Sequence, residues 1–121
     1  MRRGGVLGGV TTAEERLIAE RADTLKLMAS LSGDWDGVVE ASAHANVDDE
    51  HDPEGATIAY ERARIEASLS RARTHLADIE DALRRIRGGT YGTCERCGGP
   101  IAPGRLEARP TARTCITCAT T

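Results

Sequence analysis

The chain has 121 residues, one domain's worth, and no apolar run in it approaches the roughly eighteen residues that a membrane span needs. With no Phe, one Trp and two Tyr it cannot build a thick globular core, and a narrow seam of Leu, Ile and Ala between helices is the feasible alternative. The net charge of −3 divides into +1 over residues 1–33, −9 over 34–61 and +5 over 62–121, a distribution that excludes the continuous basic face of a general nucleic-acid binder.

Residues 1–11 read as a flexible, glycine-rich N-terminus. Gly4-Gly5-Val6-Leu7-Gly8-Gly9-Val10 is too short and too rich in glycine for a secretory core, so a cytoplasmic protein without disulfides is expected. Thr12 and Glu15 then make a capping box ahead of Leu17-Ile18. Ile18, Leu25, Met28, Leu31, Trp35, Val38, Val39 and Ala45 continue an apolar stripe at mostly helical spacing. Gly33 and Gly37 weaken this first helix, each by about 1 kcal/mol relative to Ala in an exposed interior, and suggest a bend near Trp35.

Residues 46–54 form an acidic tip containing Asp48, Asp49, Glu50, Asp52 and Glu54. Part of this acidity is structural: Asp52-Pro53-Glu54 is an N-cap, a proline at the first helical position and an acid in the first turn. The run from Asp48 to Asp52 exceeds what one cap requires, which favours a functional tip. A second helix follows, with Ile58, Arg62, Ile65, Leu69, Ala72, Leu76, Ile79, Leu83 and Ile86 at alternating steps of four and three. Arg62 interrupts that seam, either as a buried polar specifier or with its head in water near the tip. From Glu54 to Arg87 the helix would be ~50 Å long at about 1.5 Å per residue, and Gly88-Gly89 ends it.

The fold class expected is therefore mostly α: a long antiparallel coiled-coil hairpin over residues 12–88, then a small module over 89–121. That module holds Cys94, Cys97, Cys115 and Cys118, two C-x2-C pairs separated by seventeen residues. Each pair can aim two thiolates at one point, and four donors fill the four positions of one tetrahedral Zn2+. No position is left for water or substrate, so the zinc is structural. Two disulfides would need an oxidising compartment, a redox pair would need a β-α-β setting, and no other residue argues for an iron–sulfur cluster.

Arg96, Arg105, Arg109 and Arg113 set against Glu95 and Glu107 give the module +2. They either offset the negative charge of a four-thiolate centre or meet an acidic rim on a partner. His44, His51 and His75 have no second His or Cys at ligand spacing and read as solvated. There is no Ser/His/Asp set, phosphate loop or pair of carboxylates on a cleft wall, so no enzyme is expected.

The run Gly89-Thr90-Tyr91-Gly92-Thr93-Cys94-Glu95-Arg96-Cys97-Gly98-Gly99-Pro100-Ile101, with Arg105-Leu106-Glu107-Ala108-Arg109-Pro110 before the second pair, resembles the four-cysteine zinc finger of the DksA/TraR family. The R-L-E-A-R-P segment makes this far more specific than paired C-x2-C alone. The resemblance implies a bacterial, monomeric transcription regulator that binds RNA polymerase core or holoenzyme and neither reads DNA sequence directly nor meets a membrane. It implies that the coiled coil enters the secondary channel with its acidic tip near the catalytic centre, while the finger and the base of the stalk rest on the rim. At the tip the family often shows Asp-Pro-x-Asp-x-Ala; here Asp52-Pro53-Glu54-Gly55-Ala56-Thr57 keeps the first Asp and places Gly55 at the second. Longer members continue past the last cysteine as a helix, whereas three residues follow Cys118 here, which leaves the alarmone (ppGpp) response open. Two other classes compete: a Gre-like transcript-cleavage factor, and a zinc-ribbon module that binds DNA or protein.

Overall fold

The computed structural model describes residues 12–44 and 53–120, and among them four helices follow in order: α1 (Ala13–His44), α2 (Pro53–Gly88), α3 (Pro103–Ala108) and α4 (Ile116–Ala119). The two long helices form a hairpin. The described residues include no strand, only an isolated antiparallel bridge between Thr93 and Pro100. No described helix is long and apolar enough to cross a membrane.

Local chemistry fixes the helix ends. At the start of α1 the capping box is closed in both directions: the Glu15 N–H donates to Thr12 Oγ1 and the Thr12 N–H donates to Glu15 Oε1, each at 3.0 Å. The end of α2 is a Schellman turn. The Gly89 N–H donates to the Ile86 carbonyl at 3.3 Å and the Thr90 N–H to the Arg85 carbonyl at 2.9 Å. Gly89 sits at φ +81°, a left-handed conformation in which a side chain would be strained. Helix α1 runs unbroken through Gly33 and Gly37, and a Cβ at either would meet nothing within 4 Å.

The chain packs as two compact units. One comprises Asp23–His75, and the other joins residues 12–22 to residues 76–120. In the first, Leu31, Ile65 and Leu69 are buried together, with Met28, Trp35 and Val38 packed against them. Arg62 is exposed but is not idle in water: its guanidinium lies over the Trp35 ring, 5.3 Å from the centroid, a cation–π contact between the two helices. In the second unit Leu17, Ile79, Ala82 and Leu83 form the core, flanked by Ile86 and Tyr91.

The α2 stripe follows the expected register, with Ala82 as an added member. The α1 stripe does so only in part, since Met28, Leu31, Trp35 and Val38 face the seam and Ile18, Leu25 and Val39 do not. Leu17 is 0% exposed whereas Ile18 is 52% exposed, and Thr24 is 6% exposed whereas Leu25 is 41%. Val39 is exposed as well, and Ala45 lies outside the described residues. The inward face runs Leu17, Thr24, Leu31, Val38 at seven-residue steps, with Met28 and Trp35 between them, so a buried threonine holds a seam position that an apolar reading passes over.

Candidate metal centre

The first cysteine pair lies on a tight hairpin. The Cys94 N–H donates to the Gly99 carbonyl at 2.7 Å, and the Gly98 N–H returns to the Cys94 carbonyl at 2.9 Å. Gly98 makes the reversal at φ +75°. Inside this loop the Cys97 N–H points at Cys94 Sγ (3.5 Å) and the Gly99 N–H at Cys97 Sγ (3.4 Å), so backbone dipoles already favour thiolate there. The second pair flanks a single helical turn. Cys115 is the N-cap residue of α4 and Cys118 sits one turn later, with the Ala119 N–H donating to the Cys115 carbonyl at 2.9 Å.

The four sulfurs converge, each within 4.8 Å of the others. Cys97 Sγ and Cys115 Sγ stand 3.8 Å apart, well beyond the roughly 2.0 Å of a disulfide. Sulfurs about 2.3 Å from a tetrahedral zinc are ~3.8 Å from one another. The spacing thus fits one zinc ion.

The electrostatics of the bare thiols agree. Cys94 is drawn down to about 6, first by the backbone N–H of Cys97 and then by that of Cys115. Cys115 is lowered, chiefly by the backbone N–H of Cys118. Cys118 is pushed up to about 12, first by its hydrogen bond with Cys115 and then by that with Cys94. One member of the set thus resists ionising beside the others, and a divalent cation at the centre removes that conflict.

Three of the four candidate rim arginines are engaged within the unit. Arg96 donates to the Cys118 carbonyl at 3.2 Å and Arg105 to the Thr114 carbonyl at 2.8 Å. Arg113 reaches α2, with Nη2 3.1 Å from Asp78 Oδ1 and Nε 3.2 Å from Asp81 Oδ2. Arg109 is exposed. The tip acids Asp48, Asp49, Glu50 and Asp52 lie outside the described residues, and Glu54 falls in the first turn of α2. Sequence reasoning missed the α2 residues that hold the finger, namely Asp78, Asp81 and Arg85, together with Tyr91. Asp81 and Arg85 form an ordinary i,i+4 helix pair, and nothing in that spacing signals a second task.

A helical hairpin followed by four converged thiolate donors defines a C4-type zinc finger protein. The family of prokaryotic dksA/traR C4-type zinc fingers matches residues 89–121, so this module is a zinc finger of that type. It is 45% identical over 80 residues to the uncharacterized protein YteA of Bacillus subtilis, covering 66% of this chain and 32% of that one. It is 41% identical over 73 residues to the RNA polymerase-binding transcription factor DksA of Caulobacter vibrioides, covering 60% of this chain and 48% of that one. The chain therefore spans half or less of the length of these curated relatives. Among solved structures, transcription factor DksA2 from Pseudomonas aeruginosa superposes with a TM-score of 0.75 at 25% identity, over 89% of this chain and 78% of that one.

Proposed function

We propose that this chain is a transcription regulator that binds RNA polymerase through the secondary channel, with the hairpin tip directed at the catalytic centre. The observation that carries this reading is the extent of the likeness to an RNA polymerase-binding factor. It runs over 73 residues, more than the 33 that the finger supplies, so it extends over part of the hairpin. In this reading Asp48, Asp49, Glu50, Asp52 and Glu54 are the tip acids that act on the enzyme. Cys94, Cys97, Cys115 and Cys118 hold one structural zinc. Arg109, being exposed, is the finger arginine best suited to a rim contact, whereas Arg96, Arg105 and Arg113 act mainly within the protein. The chain acts as a monomer, performs no catalysis itself and reads no DNA sequence.

The test is retention of purified RNA polymerase core by the zinc-loaded protein, competed by a Gre-type factor. Stoichiometric binding that the competitor displaces is the expected result. No binding at micromolar concentrations means that the fold serves another partner. Shortened transcripts from stalled complexes would instead place it with the cleavage factors.

A further inference from the structure

The stretch from Pro110 to Thr114, which delivers Cys115 to the metal centre, belongs to no helix or strand. Its backbone carbonyls are nonetheless all occupied, each by a donor from elsewhere. Pro110 accepts from the Tyr91 hydroxyl at 2.8 Å, Thr111 from Arg85 Nη2 at 3.5 Å and Ala112 from Arg85 Nη1 at 3.3 Å. Arg113 accepts from the Glu95 N–H at 2.9 Å, and Thr114 from Arg105 Nε at 2.8 Å. The segment's one local backbone bond runs from the Ala112 N–H to the Arg109 carbonyl at 3.0 Å, so its position is set largely by whatever supplies those donors. Two of the five carbonyls are held by one residue of α2.

That residue is itself held in place. Asp81 Oδ2 accepts from Arg85 Nε at 2.9 Å and also pairs with Arg113 Nε at 3.2 Å, while Asp78 takes the other face of Arg113 at 3.1 Å. Asp81 therefore joins, through one oxygen, the arginine that grips the segment and the arginine two residues before Cys115. The Arg16 guanidinium adds a bond from α1 to the Glu107 carbonyl. Burial alone would raise the Asp81 carboxyl, but its hydrogen bond with Arg85 and the charges of Arg85 and Arg113 hold it below its ordinary value.

We infer that Asp81, Arg85 and Arg113 are positioning residues for the metal site, and that through them zinc binding and the packing of the finger on the hairpin are one equilibrium. Zinc draws Cys115 and Cys118 towards Cys94 and Cys97, which presents the 110–114 carbonyls and the Arg113 side chain to α2. Conversely, an ordered α2 end presents the second cysteine pair to the metal. By linkage each must strengthen the other by the same factor. The device makes metal occupancy a condition for a finger fixed on its helix, independent of any partner.

The test uses the full chain and zinc alone. Zinc affinity is read by competition with a chromophoric chelator at low and high salt for wild type, Asp81→Asn, Arg113→Gln, Arg113→Lys and Glu80→Gln. The first two variants should weaken zinc by about 10- to 100-fold, the range for residues that orient metal ligands. Because the pairs are partly exposed, raising salt should weaken wild-type affinity more than that of either variant. Arg113→Lys keeps a charge and should recover part of the loss. Glu80→Gln, on the same helix as Asp81, breaks only the pair with Arg21 of α1 and should bind zinc like wild type. In wild type, zinc should also slow amide exchange over residues 78–87. Unchanged affinity in Asp81→Asn and Arg113→Gln overturns the inference, as does an equal loss in Glu80→Gln. If Arg113→Gln does not fold, Asp78→Asn, which removes one of two carboxylates, should show a smaller loss, and wild-type affinity with wild-type salt dependence in that variant overturns it.

Discussion

Cys94 is the buried member of the thiol set, 1% exposed, and it is also the one that backbone N–H groups draw down to about 6. Its neighbour Cys118 is pushed the other way, to about 12, by Cys115 and Cys94. Zinc is bound by thiolates, so every thiol proton present before binding is released on binding. At neutral pH Cys94 has already lost its proton, and fewer than four protons leave the four cysteines. As the pH falls through about 6, Cys94 regains that proton, the number released climbs towards four, and zinc binding weakens with it. Calorimetry in buffers of differing ionisation enthalpy, at about pH 7.5 and about pH 5.5, counts the protons directly. A count that stays constant between the two would show that Cys94 is not the thiol ionised in the metal-free chain.

Among the elements, α1 shows how part of a regular pattern can be read one residue out of register: Ile18 and Leu25 lie off the seam, while Met28, Leu31, Trp35 and Val38 lie on it. Leu17 and Ile18 are adjacent and both strongly apolar, so hydropathy does not choose between them, whereas at Thr24 and Leu25 it favours the leucine. The seven-residue step settles the matter only once the partner helix is present, because Thr24 then holds a seam position that hydropathy assigns to Leu25. Leu17→Ala should therefore cost about 2–5 kcal/mol, the range for a buried leucine, while Ile18→Ala on the exposed side should cost well under half as much. Paired thermal melts of the two zinc-loaded variants decide it, and equal losses would return Ile18 to the seam. What was legible beforehand was local or periodic: the Thr12–Glu15 box, the α2 stripe, the stop at Gly88-Gly89 and the cysteine spacing. The grip of Arg85 on Thr111 and Ala112 joins positions 26 and 27 residues apart and follows no period, so only the packed chain displays it. Arg62 lies between these cases: its break in the stripe was visible, but its use over Trp35 depends on where α1 runs.

For the molecule as a whole, the charge distribution is the property that neither unit's packing explains. Residues 34–61 carry nine acids without one Lys or Arg, yet the apolar seam would form as well with neutral polar residues on the outer faces. A segment of −9 resists compaction and binding to any surface of like sign, and it favours a site lined by basic side chains or metal ions. If the tip acts on the polymerase centre, charge and structure must be separable there, and the Asp48/Asp49/Asp52→Asn variant separates them. Asn removes the charge while retaining a side chain of similar size, and at position 52 it remains a good N-cap, so α2 should still start at Pro53. The expected outcome is near-complete loss of the effect on transcription in a promoter assay, with affinity for core polymerase reduced by less than about tenfold, or 1.4 kcal/mol. An equal collapse of binding would mean that the tip is the anchor and not the effector. A variant that regulates like wild type would move the function off the tip altogether and onto the finger and the residues of α2 that hold it.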